Sequence, residues 1–415
     1  MRDAPPEAPR DAVLLVGLKV ADIAGRSGFV LVATYALPIA QAGQFGLIVT
    51  LTTLFAFVSG FERHLDIQRR VAGEDRRMVE RAVSRAIRFF AFNWLATLPI
   101  YLVIVVLWSG AGWALAAPML IVVIGEHLST QAYHLSVMSR RYFLLIALVA
   151  VKNATLFGVV AYRALFTPQG LDLGFALNAW AFASALGVAG AAIVWVRLRQ
   201  PDPQQPRFDF RSDLFSQHRA SLTHFVIGVV AVLMLQYDRL AVTALLGLEG
   251  GGRYFRHALL ASLAYQAFNV ACFTRISPVI FVAARHQPVR EVQLRLMREY
   301  RWVLAATAAL LVLAWSADAM TGGVYSGQFQ VSLGIMSLML VGFVLRAAAD
   351  FQGLILNAKH LEGQLLRQQG TAFAVGAFAV VLLTWRFGLV GAVAANVLGS
   401  AVYLFLNHRA VRTLE

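Results

Sequence analysis

The chain has 415 residues, 59% of them apolar and 14% charged, with a mean hydropathy of +0.66. Soluble globular proteins carry about 25% charged residues, so this composition excludes an ordinary water-soluble fold and fits a chain that lies mostly in lipid. Twelve spans of about 20 residues would take roughly 240 positions, close to the apolar total. The net charge of +14, from 36 Lys and Arg against 22 Asp and Glu, therefore needs a place outside the hydrocarbon. A single cysteine, Cys272, excludes an intrachain disulfide and a cysteine-based metal cluster.

The opening MRDAPPEAPRDA is polar and Pro-rich and lacks the basic region and small-residue cleavage site of a signal peptide, so the first apolar segment is expected to remain as a helix. Apolar runs separated by charge clusters predict twelve helices. They lie at about 12–37, 42–61, 89–109, 113–137, 142–165, 174–196, 220–247, 254–278, 301–319, 330–356, 369–385 and 389–406. The fold class expected is an all-α polytopic membrane protein of two six-helix lobes. Residues 1–200 form the first lobe, 201–219 a cytoplasmic linker, and 220–415 the second lobe.

Lys and Arg accumulate on the cytoplasmic side of membrane proteins. With the N-terminus inside, the cytoplasmic segments hold 26 of the 36 basic residues, while the external loops hold only Arg163, Arg253 and Arg386. Both termini are therefore expected in the cytoplasm. The external loops are short, and the two largest internal segments, 62–88 and 197–219, are too small for a soluble catalytic domain. Walker-type, HExxH, GxSxG and Asp-x-Asp patterns are absent, which excludes the usual ATP-driven pump and glycosyltransferase signatures. A polysaccharide polymerase or ligase would need a substantial external loop, so a transporter is expected rather than an enzyme.

A weak internal echo supports the division into halves. Ala42-Gly43-Gln44-Phe45-Gly46 opens the second span, and Gly251-Gly252-Arg253-Tyr254-Phe255 opens the eighth. Paired repeats of this kind are an arrangement many secondary transporters use.

Seven basic residues remain inside spans: Lys19, Arg26, Lys152, Arg239, Arg256, Arg275 and Arg346. The carboxylates there are Asp22, Glu126, Asp238 and Asp350, leaving a net +3. A charge at mid-bilayer costs about 2.5–3.5 kcal/mol on insertion scales, so retained charges face a cavity or a partner. On the first helix, Lys19, Asp22 and Arg26 fall within about a 60° arc, roughly 10–21 Å into a core about 30 Å thick. Either they pair within the helix for packing, or they line a cavity; two cations for one acid favour the second. On the fourth helix Glu126, Thr130 and His134 share a face, with His127 and Gln131 nearby. That face suits a cavity wall or a protonation site at Glu126, with helix-to-helix hydrogen bonding as the alternative; Glu126 and His134 stand too far apart for a favoured metal site. Lys152 and Asn153 lie near mid-depth on the fifth helix. Arg346 and Asp350, four apart on the tenth, read most simply as a pair, while adjacent Asp238 and Arg239 need separate partners. Arg256 and Arg275 lie near span ends and can snorkel. The surplus of positive charge suits an anionic passenger such as a diphosphate.

The segment GLKVADIAGRSGFVLVATYALPIAQAGQFGLIVTLTTLFAFVSGF resembles the start of bacterial polysaccharide flippases of the Wzx type. Gln236-Tyr237-Asp238-Arg239-Leu240, followed by Gly251-Gly252-Arg253-Tyr254-Phe255, is similar to the second-lobe entry of the same superfamily, which includes MATE multidrug exporters and the lipid II flippase. The resemblance implies a twelve-helix flippase that moves a polyprenyl-diphosphate-linked oligosaccharide, an O-antigen or exopolysaccharide repeat unit, to the periplasmic leaflet by alternating access. It assigns diphosphate or sugar binding to Lys19, Arg26 and Lys152; Arg346 in the second lobe is a further candidate beside them. Asp22 would orient the cations flanking it, Glu126 would carry a coupling proton, and Asp350 is the third orienting or coupling carboxylate. No cofactor or metal is implied; coupling to H+ or Na+ stays open. The expected partners are the lipid-linked oligosaccharide and membrane lipids, with a polysaccharide polymerase and glycosyltransferases as candidate protein partners and no nucleic acid. A MATE-like cation-coupled multidrug exporter is the alternative.

Overall fold

The structure, a computed structural model, describes residues 9–63, 67, 76–138, 143–198, 210–268, 276, 279–281, 283–284, 287–320, 323 and 332–414. Arg275, Arg140, Arg141 and the linker stretch 201–209 lie outside them. The described residues form α-helices α1 (Pro9–Ala36), α2 (Ile39–Gly60), α3 (Arg76–Ser109), α4 (Ala116–Met138), α5 (Phe143–Phe166) and α6 (Leu173–Leu198). After these come α7 (Phe210–Phe268), α8 (Val289–Met320), α9 (Leu333–Ala358) and α10 (Glu362–Arg412). A short 3-10 turn, Trp113–Leu115, precedes α4.

Two of these helices are bent pairs. α7 breaks at Gly247 (φ 71°, ψ −176°) and α10 at Gly388 (φ 61°, ψ −138°), backbone conformations that glycine adopts without steric cost. Counting each limb separately gives twelve rods among the described residues. The expected short loops between spans seven and eight, and between eleven and twelve, are thus single-glycine bends. Nine described helices are long and apolar enough to cross a membrane, and the two bent ones are each long enough to cross twice. α1 falls outside that set because Lys19, Asp22 and Arg26 interrupt its apolar sequence.

Two further expectations are corrected. The segment expected as a loop up to residue 88 is helical from Arg76, and the ninth span begins at Val289 rather than near 301. In both stretches apolar residues recur at helical spacing and are buried: Val83, Ala86, Phe89 and Phe90 in α3, and Val289, Val292 and Leu296 in α8. The intervening arginines are good helix formers, and Arg88, Arg290, Arg295, Arg298 and Arg301 are exposed.

The chain divides into two compact units, one of residues 1–38 and 47–225, the other of 39–46 and 226–415. The opening turns of α2 therefore go with the second unit rather than with the first half of the sequence. Gly43 and Gly46 lack the side chains that would hold them away from Leu248 and Phe255 of α7. In the first unit α1 packs along α5, and α6 packs against both α4 and α5. In the second, α9 packs on α10 and on α8.

Candidate functional site

The mid-depth charges of the first unit converge. α1 and α5 approach so closely at Gly25 that a β-carbon there would lie 2.7 Å from the backbone of Asn153 and Ala154. This contact brings the polar stripe of α1 against Lys152 and Asn153. Asp22 accepts from Lys19 Nζ at 2.8 Å and from Asn153 Nδ2 at 2.5 Å. Lys19 also lies over the Tyr133 ring, 4.4 Å from its centroid. Arg26 turns the other way: its Nη2 lies 3.2 Å from Glu126 Oε2. The expectation that Asp22 holds both flanking cations is thereby corrected, because Arg26 is drawn across to the second carboxylate.

Glu126 is the hub. Its Oε1 accepts from Lys152 Nζ at 3.1 Å and from the Trp180 indole at 3.0 Å, while Oε2 faces Arg26. Lys152 donates in addition to Ser129 Oγ at 3.0 Å. Gly187 on α6 makes room for Lys152: a β-carbon there would stand 3.0 Å from its Cδ. Three cations thus share two carboxylates within one unit. Exposure is graded across the cluster, with the Glu126 and Lys152 side chains 3% exposed, Lys19 24% and Arg26 39%.

The shared face of α4 does not converge as its spacing suggests. Thr130 donates to the Glu126 carbonyl of its own helix, and His134 lines an apolar cavity of about 290 Å³ with Phe90, Trp94 and Trp195. His127, buried beside Glu126, accepts at Nδ1 from Trp94 Nε1 at 3.0 Å and meets the edge of Phe90. An acceptor at Nδ1 places the proton of a neutral ring on Nε2, so the Gln131 amide 3.2 Å away must present its oxygen there to accept it. Among the described residues no group of three His, Cys, Asp or Glu is placed to hold a metal.

In the second unit Arg346 and Asp350 form the expected pair at 3.2 Å. Tyr265 donates to Asp350, and Arg346 lies over the Tyr403 ring, whose hydroxyl accepts from Gln369. Asp238 accepts from Tyr254 at 2.6 Å and Asn396 at 2.9 Å, while Arg239 donates to Gln236 and Ser262. The adjacent charges do find separate partners. Arg346 and Asp350 therefore belong to a network of the second unit, while the Glu126 cluster belongs to the first. Sequence reasoning gave no role to Trp180, Ser129 or Asn396 and read Tyr254 only as part of a motif; Trp180 and Asn396 are polar groups in otherwise apolar runs.

The backbone resembles those of several solved transporters. Over 97% of its length it matches an inward-facing multidrug resistance MATE family transporter of the MOP superfamily, with a TM-score of 0.69, 12% identity and 98% of that chain covered. The chain shares the fold of that transporter. The lipid II flippase MurJ matches over 98% of this chain and 88% of its own, at a TM-score of 0.66 and 10% identity. A MOP superfamily transporter from Pyrococcus furiosus, described as having a binding pocket of reverse polarity that suggests a different function, matches over 97% and 95% at 0.58 and 15% identity. No protein-family profile matches the chain, and no curated protein matches it in sequence. At these identities the likeness shows the fold alone.

Proposed function

We propose that this chain is a flippase that carries a polyprenyl-diphosphate-linked oligosaccharide, an O-antigen or exopolysaccharide repeat unit, from the cytoplasmic to the periplasmic leaflet of a bacterial inner membrane by alternating access. The observation that carries the reading is the cluster of three cations on two carboxylates, with the cations graded from buried to exposed. Lys19 and Arg26 are the members open enough to meet a passenger, and a guanidinium binds phosphate oxygens in a fork geometry. Lys152 stands behind them. When Arg26 turns from Glu126 to a diphosphate, Lys152 and Trp180 still satisfy that carboxylate, so the exchange leaves no bare buried charge. A coupling proton placed on Glu126 would release Arg26 in the same way. Arg346 remains with Asp350, so the diphosphate site of this proposal lies in the first unit. Glycosyltransferases must make such a passenger and a polymerase consume it, which makes them the expected functional neighbours.

The second reading, a MATE-like cation-coupled multidrug exporter, is supported by the MATE transporters among the structural neighbours. A surplus cation disfavours cationic drugs at this cluster. Replacing Lys19 and Arg26 together with Gln tests both readings in cells that depend on the chain for surface polysaccharide. The expected result is loss of export at unchanged membrane levels. Wild-type export from the double variant overturns the site. Resistance to cationic dyes without polysaccharide export transfers the assignment to the exporter.

A further inference from the structure

The first turns of α8 carry charges that the Glu126 cluster does not use. Val289, Val292, Leu296 and Val303 form its buried face. The opposite face exposes Arg290, Arg295, Arg298 and Arg301 together with Leu294, Met297 and Trp302, which are 64%, 52% and 69% exposed. Beyond Trp302 the helix remains exposed through Leu304, Leu310, Val312, Leu313 and Trp315 to Met320, as expected of a face turned to lipid tails. Trp residues settle at the level of lipid headgroups. At 1.5 Å per residue Arg298 lies about 6 Å and Arg295 about 10 Å beyond Trp302, the depth of the headgroup layer.

A second observation stands on the same flank. An apolar cavity of about 330 Å³ opens in the second unit between α7, α8 and α9, and Trp302, Ala306 and Leu310 form its α8 wall opposite Phe268 and Phe343. At 100° per residue, Arg295, Trp302 and Ala306 fall within about a 40° arc, with Arg298 about 40° to one side of it and Leu310 about 40° to the other. Two arginines thus precede, on the same side of the helix, a slot lined mainly by aromatic and aliphatic side chains. Exposed Glu291 lies further out, and half-buried Glu299 has interactions of its own.

We propose that this flank is a binding site for an anionic phospholipid, with its phosphate on Arg295 and Arg298 and one acyl chain in the slot below Trp302. Charge complementarity selects the headgroup, and the carbon-lined slot selects a lipid over an acidic protein segment. Arginines held at the surface attract anionic lipids and leave neutral ones unselected. The site is independent of the passenger proposed above.

The full-length chain, purified in detergent, is offered phosphatidylglycerol or phosphatidylcholine, and retained lipid is counted by native mass spectrometry. The expected result is retention of phosphatidylglycerol by about tenfold or more over phosphatidylcholine. R295Q/R298Q should abolish the preference, and R295K/R298K should keep most of it, which separates charge from folding. A306W should fill the slot and lower retention of both lipids while the arginines remain. Equal retention of the two lipids by the parent chain, a preference that survives R295Q/R298Q, or unchanged retention in A306W each overturns the site. So does displacement of the lipid preference by an acidic peptide at concentrations where phosphatidylglycerol vesicles compete no better.

Discussion

Gly43 and Gly252 meet at a crossing that is the same in both directions. A β-carbon on Gly43 would lie 1.9 Å from the carbonyl oxygen of Leu248, four residues before Gly252. One on Gly252 would lie 2.1 Å from the carbonyl oxygen of Ile39, four residues before Gly43. The two segments that echo each other in sequence are thus packed on each other, each presenting the same surface. Small residues that let backbones approach are the usual means of joining helices in lipid, where apolar side chains gain little over the surrounding tails.

Alanine at either position must push the helices apart. Gly43→Ala and Gly252→Ala are each expected to cost about 1–3 kcal/mol, the range of an overpacked contact. Gly363→Ala, in open space on α10, should be neutral or gain about 0.5–1 kcal/mol from its helix preference. Unfolding of the three variants in detergent checks this; equal stabilities would refute the crossing.

Lys152 and Glu126 are both buried, so removing one leaves the other charge poorly compensated. Lys152→Met is expected to cost about 3–5 kcal/mol, as broken buried pairs do. Adding Glu126→Gln should recover much of that loss, because the amide still accepts from Trp180 and Arg26 is open enough to turn to water. Melting temperatures of the two single variants and the double variant form the cycle that measures it; strict additivity would count against the pair.

Depth and face were legible in the sequence. Lys19, Asp22, Arg26, Glu126 and Lys152 all fall near the middle of their helices, and groups at one depth are able to meet. Which carboxylate takes which cation was not legible, since that depends on the rotation of α1 against α5, set by Gly25 on the backbone of Asn153 and Ala154. Trp180 lay hidden because an indole in an apolar run reads as packing until the carboxylate it faces is known. The helical starts of α3 and α8 were hidden for the opposite reason: their arginines read as loop, although Val83, Ala86, Val292 and Leu296 keep helical spacing beneath them.

Glu62 gives a pH signature outside the spans. It follows the end of α2 in the left-handed region (φ 50°), and burial pushes its carboxyl from 4.5 up to about 7. In the unfolded chain the same group titrates near its ordinary value of about 4.3. Between these values the folded chain holds the proton that the unfolded chain has lost, so stability falls as pH rises from about 4.5 toward 7 and levels off above. Glu62→Gln is expected to flatten that slope and to be the more stable protein at pH 8. Melting temperatures measured from pH 5 to pH 8 decide it, and parallel curves for parent and variant would refute the burial argument.

Trp180 contributes to the Glu126 hub in two separable ways. Its indole donates to the carboxylate at 3.0 Å, and its ring meets Phe29 edge-on with centroids 5.3 Å apart. Trp180→Phe keeps an aromatic ring against Phe29 and removes one donor to a charged acceptor, for an expected cost of about 1.5–3 kcal/mol. Trp180→Ala loses the ring as well and should cost about 3–5 kcal/mol. The functional consequence separates further. With the indole gone, Glu126 leans more on Arg26, so on the proposed reading Trp180→Phe should weaken binding of the diphosphate more than its stability loss accounts for. Flipping of a polyprenyl-diphosphate sugar in proteoliposomes, normalised to folded protein, tests this; full activity in the phenylalanine variant would show that the indole serves packing alone.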